Sequence, residues 1–215
     1  MSVTAVVLAA GAARRLGRPK QLEQVGGLAL VARALGAAAP ADNCLVMLGS
    51  GAALIRPTVQ KHMPTATISV VGDWQRGMGH VLASAVSSLP PGTDAVVVLL
   101  ADQPFVTAAA VRLLIETWRA TGEPWLCAGY DGRRGHPHLF DGTWFPALAT
   151  LDGDDGARAV TGAHRPYVVE VPGDDTDIDD ESDLVGTLVL TDRHPADVAG
   201  ARVNRSATDS NSRET

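Results

Sequence analysis

The chain has 215 residues, of which 46% are hydrophobic, enough to bury one core but scarcely two large ones. Its 18 basic and 24 acidic residues give a net charge of -6, which argues against a general affinity for nucleic acid or for an anionic membrane surface. The apolar run near the N-terminus precedes its positive charges, the reverse of a signal peptide, and is too short to cross a bilayer. We therefore expect one cytoplasmic globular domain whose partners are small molecules or proteins.

Six short apolar or β-branched segments predict strands, at residues 4–8, 44–48, 67–71, 95–100, 125–129 and 167–171. Segments with helical spacing lie between most of them, at residues 28–38, 52–61, 80–88, 107–121, 156–161 and 181–188. This alternation is typical of a parallel sheet covered by helices. The segment 95–100 is apolar on both faces, which predicts a central strand with segment 4–8 as its neighbour.

Three regions depart from this alternation. Residues 129–152 predict a hairpin-like insertion and a candidate substrate-facing flap. After about residue 191 the apolar periodicity is lost, so we expect a domain over 1–190 and a polar, mostly disordered tail over 191–215. Cys44 and Cys127 lie in apolar surroundings without metal-ligand spacing, which favours two buried thiols.

The stretch "LAAGAARRLGRPKQL" follows the first predicted strand and is almost free of side chains at its start. Backbone N–H groups in such a loop can approach anionic oxygens closely, which suits phosphate. The spacing fits neither the Rossmann fingerprint nor the P-loop. Four cations follow the loop, namely Arg14, Arg15, Arg18 and Lys20. A tight turn carrying solvated arginines is the alternative interpretation.

A second candidate is Asp102, which follows the buried strand of "VVVLLADQPFV". A carboxylate at the carboxyl end of such a strand lies where open α/β sheets bind ligands. It is costly there unless a cation meets it, and Mg²⁺ prefers such oxygen donors. The alternative is an aspartate that caps a turn before Pro104.

The first loop resembles the L-A-[AG]-G-x-x-x-R-x-G-x-x-K signature of the MobA-like nucleotidyltransferases, matched by Leu8, Ala9, Ala10, Gly11, Arg15, Gly17 and Lys20. "ADQP" is identical to the A-D-Q-P motif of that family. The resemblance implies a three-layer Rossmann-like α/β fold with a mostly parallel central sheet. It also implies that the loop wraps a nucleoside triphosphate and that Arg15, Lys20 and Asp102 are catalytic. One departure is Ala13, where many relatives have serine.

Two further segments extend the resemblance. "GMGHVLASAV" is similar to a family segment near the base and sugar, which adds Gly77, Gly79 and His80 to the nucleotide-binding set formed by Leu8, Ala9, Ala10, Gly11, Ala12, Arg15 and Lys20. "DTDIDDESDL" resembles D-I-D-T-P-E-D-L and implies that Asp179 or Asp177 joins Asp102 as a metal ligand. If residues 177–179 are extended, both carboxylates share one face and Ile178 points to the core. A solvated acidic run that caps a helix is the alternative for this segment.

"RRGHPHLF" and "GDDGAR" resemble segments that distinguish the molybdenum-cofactor cytidylyltransferases, and LAAG in the first loop points the same way. The reaction implied is CTP plus molybdopterin giving the cytosine dinucleotide cofactor and pyrophosphate. Gln103, His136 and Arg158 are the implied acceptor-binding residues. His136 and His138 share a strand face, but no third ligand with sensible spacing supports a metal site there.

Two other classes of function stay open. The same loop could seat a dinucleotide in an NAD(P)H-dependent reductase of quinone-like compounds, and His80 and Ala13 are the departures that allow it. A non-catalytic carrier of the molybdenum cofactor, docking on a molybdenum hydroxylase, is the other.

Overall fold

A computed structural model describes residues 1–12 and 16–184 of the chain. The strands are Ser2–Ala9 (β1), Gln24–Val25 (β2), Leu28–Ala29 (β3), Asn43–Leu48 (β4), Thr67–Val70 (β5), Thr93–Leu100 (β6), Trp125–Tyr130 (β7), Arg133–Asp141 (β8) and Tyr167–Glu170 (β9). The α-helices are Leu30–Ala38 (α1), Ala52–His62 (α2), Met78–Ser87 (α3), Ala108–Thr121 (α4), Phe145–Leu148 (α5) and Arg158–Thr161 (α6). Residues 181–184 are also helical.

A seven-stranded sheet in the order β5-β4-β1-β6-β8-β7-β9 forms the middle layer. Strands β5, β4, β1 and β6 run parallel to their neighbours, as do β7 and β9, whereas β8 is antiparallel to both β6 and β7. The sheet is therefore mostly parallel, and β1 lies beside β6, as the sequence predicted.

The alternating side chains of β1 divide the core into two layers. Ala5 and Val7 pack with α1 and α4 on one face of the sheet. Val6 and Leu8 pack with α3 on the other face. Because every second residue of a strand points to the same face, an almost wholly apolar strand must be covered on both sides. The expected three-layer arrangement is confirmed.

The hairpin predicted within residues 129–152 is present, but the prediction that it forms a flap is wrong. A hairpin does form there, turning at Asp131 and Gly132, which have φ angles of 51° and 76°. Its second strand, β8, is inserted into the main sheet, where His138 lies opposite both Val98 and Cys127. Phe140 in that strand is only 1% exposed. The apolar half of the segment is therefore core, because it fills the sheet between β6 and β7.

The other predicted elements are present with shifted ends. Thr107 caps α4 as expected, since its side-chain oxygen accepts a hydrogen bond from the Ala110 N–H at 3.1 Å. Cys127 is buried, Cys44 is half-buried, and both are free thiols. The predicted tail and the end of the last predicted helix lie outside the described residues. Among the residues described, no helix has the length and apolar character needed to cross a bilayer.

Candidate nucleotide and metal site

The carboxyl ends of β1 and β6 lie side by side because the two strands are parallel neighbours. Leu8 is in register with Leu100, and the Ala101 N–H donates a hydrogen bond to the Leu8 carbonyl at 3.1 Å. The small-residue loop after β1 and the Asp102 turn after β6 consequently share one edge of the sheet. This is the edge at which open α/β sheets bind ligands.

Gln21 holds the small-residue loop in shape. Its side chain is nearly fully buried, and its amide donates hydrogen bonds to the carbonyls of Ala9 at 3.2 Å and Gly11 at 2.9 Å. The Ala10 carbonyl accepts from the Ser50 N–H at 3.0 Å. Three carbonyl oxygens that would repel a phosphate are thus engaged by the protein itself.

Within its described part, residues 8–12, the loop is open at Gly11 and Ala12. Leu8, Ala9 and Ala10 are at most 9% exposed, so they position the loop through packing. Gly11 is exposed, Ala12 is half-buried, and a Cβ added at Gly11 would have no described atom within 4 Å. The space in front of Gly11 is therefore free of the described protein atoms, as a ligand-binding loop requires.

Lys20 joins this loop to the Asp102 turn. Its ammonium lies 2.6 Å from Asp102 Oδ2 and 3.0 Å from Asp179 Oδ1, and it donates a hydrogen bond to the Ile178 carbonyl at 3.2 Å. Burial disfavours the charged ammonium, but Asp102 and Asp179 outweigh that cost and raise the pKa of Lys20 above its ordinary value. Lys20 is therefore cationic at neutral pH.

The second oxygen of Asp102 has no such partner. Oδ1 is buried and makes no hydrogen bond to any residue in the described ranges. A buried, unpaired carboxylate oxygen is costly unless a cation or donor reaches it. Asp102 therefore offers the kind of oxygen that a hard divalent cation binds.

The acidic segment passes Asp102 at the same edge, with the alternation of exposed and buried residues expected from the sequence. Ile178 is fully buried against Leu16 and Leu30, while Asp177 and Asp179 on either side are exposed. The Ile178 N–H also donates to the Asp102 carbonyl at 3.0 Å. The buried isoleucine thus anchors both aspartates beside Asp102.

The surroundings of Asp177 change the pKa of its carboxyl group. Partial desolvation of its carboxyl and the charges of Asp102 and Asp179 raise its pKa to about 6, although Gln103 and Lys20 act in the opposite direction. A cation bound here would relieve that repulsion. In residues 1–12 and 16–184, however, no three His, Cys, Asp or Glu side chains form a complete metal-binding group.

Gln103 and His136, the implied acceptor-binding residues, lie beside Asp102. Gln103 is 5% exposed and donates to the Asp175 carbonyl at 3.1 Å, while its Oε1 has no partner among the described residues. His136 Nδ1 is likewise buried and unpartnered within that set. Burial lowers the pKa of His136, although the charges of Asp102 and Asp175 partly oppose this. His136 is therefore a neutral ring able to accept a hydrogen bond.

His138 does not combine with His136 into a metal site. Its Nδ1 accepts a hydrogen bond from the indole N–H of Trp125 at 3.1 Å. Burial, together with the nearby His136, lowers the pKa of His138 to about 3. The side chain belongs to an aromatic stack with Trp125 and Phe140.

The two glycines of the "GMGH" segment are explained by packing. The Gly79 N–H donates to the Gly153 carbonyl at 2.8 Å, and a Cβ at Gly79 would lie 2.9 Å from that oxygen. Gly77 has a φ of 112°, and its Cβ would approach Gly153 to 2.4 Å. The start of α3 and the "GDDGAR" segment are therefore packed closely together. Arg158, the last residue of that segment, is exposed at the start of α6.

His80 is likewise engaged by the protein. Its Nε2 lies 2.8 Å from Asp73 Oδ1, and its Nδ1 lies 3.9 Å from Asp152 Oδ1. Arg76 bridges the same two carboxylates, at 3.3 Å to Asp73 and 2.9 Å to Asp152. This charged cluster ties α3 to the "GDDGAR" loop.

Sequence reasoning did not single out Gln21, Asp73 or Asp152. Gln21 follows Lys20 directly, yet only the fold shows that its amide reaches back to the loop. Arg15, the other predicted phosphate contact, lies with Ala13 and Arg14 outside the described residues.

Comparison with known proteins gives a consistent family. Residues 5–167 match the MobA-like NTP transferase domain. Purine catabolism protein PucB of Bacillus subtilis is 30% identical over 201 residues, which cover 84% of this chain and 94% of that protein. Nicotine blue oxidoreductase of Paenarthrobacter nicotinovorans is 32% identical over 189 residues, covering 84% of this chain and 89% of that protein.

Solved structures agree with this relationship. Rv0371c from Mycobacterium tuberculosis H37Rv is similar with a TM-score of 0.78 and 31% identity, over 87% of this chain and 97% of that chain. A second structure of Rv0371c, in complex with manganese, has a TM-score of 0.74 and 29% identity, over 88% of this chain and 99% of that chain. The family match spans β1, the loop after it and Asp102, and the chain belongs to the MobA-like NTP transferase domain family.

Proposed function

We propose that this chain is a divalent-metal-dependent nucleotidyltransferase that transfers CMP from CTP to a molybdopterin-type acceptor and releases pyrophosphate. One observation carries the proposal. The Lys20–Asp102 pair, at 2.6 Å, stands at the sheet edge beside a loop whose carbonyls are already engaged. Such a site suits a polyanion whose charge grows at a leaving group.

The reaction needs two polyanions to be brought together. A terminal phosphate oxygen of the acceptor forms a bond to the α-phosphorus of CTP, and the bond from that phosphorus to the bridging oxygen breaks, so that pyrophosphate leaves. The attacking phosphate is already ionised near neutral pH, so no general base is required. The N–H groups of the Gly11 loop, Lys20 and Arg15 would neutralise charge on the departing pyrophosphate.

Asp102, together with Asp179 or Asp177, would hold the divalent cation. The buried, unpartnered Oδ1 of Asp102 fits this role, and the manganese complex of the relative Rv0371c supports a divalent ion. We assign Mg²⁺, because carboxylate and phosphate oxygens are the ligands it prefers. When bound, the ion would supply charge neutralisation to the phosphates. Since the described residues offer no complete metal group, the phosphates themselves would complete its coordination.

The choice of CTP and of the acceptor rests on the resemblance, with local geometry in support. Gln103 follows Asp102 in the chain and His136 is close enough to Asp102 to feel its charge, and each has a polar atom without a described partner that an acceptor bound beside Asp102 would engage. Leu8, Ala9, Ala10 and Ala12 shape the nucleotide loop, while Gly77, Gly79, His80 and Arg158 would bound the base and acceptor side. On this proposal residues 1–190 form the catalytic domain in the cytoplasm, and a molybdenum hydroxylase receives the product.

A second candidate is an NAD(P)H-dependent reductase of quinone-like compounds. It is favoured by the 32% identity to nicotine blue oxidoreductase over 84% of this chain. In that case the Gly11 loop would bind the pyrophosphate of the dinucleotide without a metal ion.

Thermal unfolding with added ligands separates the candidates, because a ligand that binds only the folded state raises Tm. We expect CTP with Mg²⁺ to raise Tm more than GTP or ATP, and NADPH alone to leave it unchanged. Pyrophosphate release from CTP with purified molybdopterin then tests the reaction itself. Stabilisation by NADPH without metal, together with dye reduction, would favour the reductase, and stabilisation by no nucleotide would favour a carrier.

A further inference from the structure

Lys20 stands where a divalent cation is expected to act. Its ammonium contacts one oxygen of Asp102 at 2.6 Å and one of Asp179 at 3.0 Å. These are two of the carboxylates assigned to the metal. The lysine is 14% exposed and Asp102 is 24% exposed, so water screens this pair less than a surface pair.

Among the described residues, Lys20 is the cation that forms an ion pair with Asp102. Arg18, on the same loop, pairs with Glu23 at 2.5 Å and with Glu181 at 3.4 Å. Asp102 Oδ1 has no described partner. A divalent ion arriving at that oxygen would meet the Lys20 ammonium on the other oxygen of the same carboxylate, and like charges this close repel strongly.

We propose that Lys20 holds the place of the metal ion in the ligand-free protein, so that a divalent cation binds tightly only together with a nucleoside triphosphate. The inference rests on the proposed function and adds an order of assembly to it. The phosphates supply the negative charge that draws the ammonium away from Asp102. The four-carbon stem of lysine lets the charge move without a change in the backbone.

The replacement of the Lys20 ammonium by a metal ion when nucleotide binds, called the exchange below, has a physical rationale. Without Lys20, the ligand-free protein would keep a partly buried Asp102 beside Asp177 and Asp179, and such repulsion is destabilising. With Lys20, the charge of Asp102 is paired with an ammonium before substrate arrives. Free metal then gains little from binding, because it has to displace a cation already paired.

The test is a titration of the full-length protein with Mn²⁺, following free Mn²⁺ by its electron paramagnetic resonance signal. Without nucleotide, we expect Lys20→Met to bind Mn²⁺ at least about tenfold more tightly than wild type, since it removes the competing charge. Arg18→Met, which removes a cation that does not touch Asp102, should bind Mn²⁺ as wild type does. Adding α,β-methylene-CTP should strengthen Mn²⁺ binding greatly in wild type and much less in Lys20→Met.

Two controls keep the result interpretable. The double variant Lys20→Met/Asp102→Asn should lose the added affinity, and retention would overturn the inference, because the metal would then bind elsewhere. Lys20→Gln, which keeps a hydrogen-bond donor without the charge, replaces Lys20→Met if that variant does not fold. Mn²⁺ affinity in the uncharged variants equal to or below that of wild type would also overturn the inference.

The proposed function is measured separately. Wild-type pyrophosphate release with CTP and acceptor, combined with unchanged Mn²⁺ affinity in Lys20→Met, would overturn the exchange and leave the transferase in place. A gain in Mn²⁺ affinity without any turnover would support the exchange and contradict the transferase.

Discussion

The ammonium of Lys20 lies 2.6 Å from Asp102 Oδ2 and so connects the loop after β1 with the turn after β6. Neither residue is close to the other in sequence. Their contact depends on the parallel pairing of β1 with β6, which places both carboxyl ends at one edge. The residues proposed to bind phosphate and metal therefore meet at that contact.

Asp102→Asn should lower pyrophosphate release by about a hundredfold or more, because it keeps the side-chain shape but removes the charge that would bind metal. Circular dichroism and gel filtration should show a folded protein. The matched control is Asp94→Asn near the start of the same strand, where the side chain is 51% exposed and bonds the backbone N–H of Ser2. Equal turnover in the two variants would show that Asp102 has no special role.

Gly11→Ala should weaken CTP binding while leaving thermal stability nearly unchanged. The added Cβ has no described atom within 4 Å, but it would enter the space assigned to phosphate. Gly79→Ala is the contrasting variant, because its Cβ would lie 2.9 Å from the Gly153 carbonyl. It should reduce the free energy of unfolding by roughly 1–3 kcal/mol, as overpacking does. Calorimetry of unfolding and of CTP binding measures both effects, and loss of stability in Gly11→Ala would mean that its space is filled.

The free energy of unfolding should fall as the solution is acidified below about pH 6.5, in part because of His138. Burial and His136 hold the pKa of His138 at about 3 in the folded protein, against 6.5 ordinarily. The unfolded chain therefore binds a proton in this range that the folded chain does not. His138→Gln should reduce the slope of stability against pH by at most about 1.4 kcal/mol per pH unit. Denaturant titrations at several pH values measure this slope. An unchanged slope would show that the pKa of His138 is not lowered in the folded protein.

Asp177→Asn should raise Tm at alkaline pH. Desolvation and the charge of Asp102 raise the pKa of Asp177 to about 6 from 3.8, so the ionised carboxylate costs stability above that pH. Below about pH 6 the folded protein takes up the proton more readily than the unfolded chain does, and the advantage of the variant should shrink. Asp179→Asn is the comparison, because it removes a partner of Lys20 at 3.0 Å and should not stabilise. A Tm that is insensitive to Asp177→Asn at every pH would indicate a fully solvated carboxylate.

Much of the fold followed from strong local patterns. The run that became β6 is apolar on both faces and the run that became β1 is nearly so, and only a covered central position accommodates such strands. The same patterns predicted that the small-residue loop follows β1 and that Asp102 follows β6. Strand β8 was not predicted, because its first half, "RRGHP", is polar. Its place in the sheet depends on the burial of Leu139 and Phe140 against residues that are distant in sequence.

The site was less predictable where long-range packing decides it. The spacing predicted that Ile178 points to the core, but only the fold shows that it packs with Leu16 and Leu30 and that Asp179 then lies 3.0 Å from Lys20. Gly77 and Gly79 were assigned to the nucleotide, yet the close approach of Gly153 already requires glycine at both positions. The same glycines in a sequence motif can therefore be required by packing, by ligand binding or by both.

The most direct test is a crystal structure with α,β-methylene-CTP and Mn²⁺, recorded at a wavelength where manganese scatters anomalously. We expect a manganese peak coordinated by Asp102 Oδ1 and by triphosphate oxygens, with the phosphates lying over Gly11 and Ala12. A nucleotide bound at the opposite edge of the sheet, or manganese with no contact to Asp102, would contradict the proposed site.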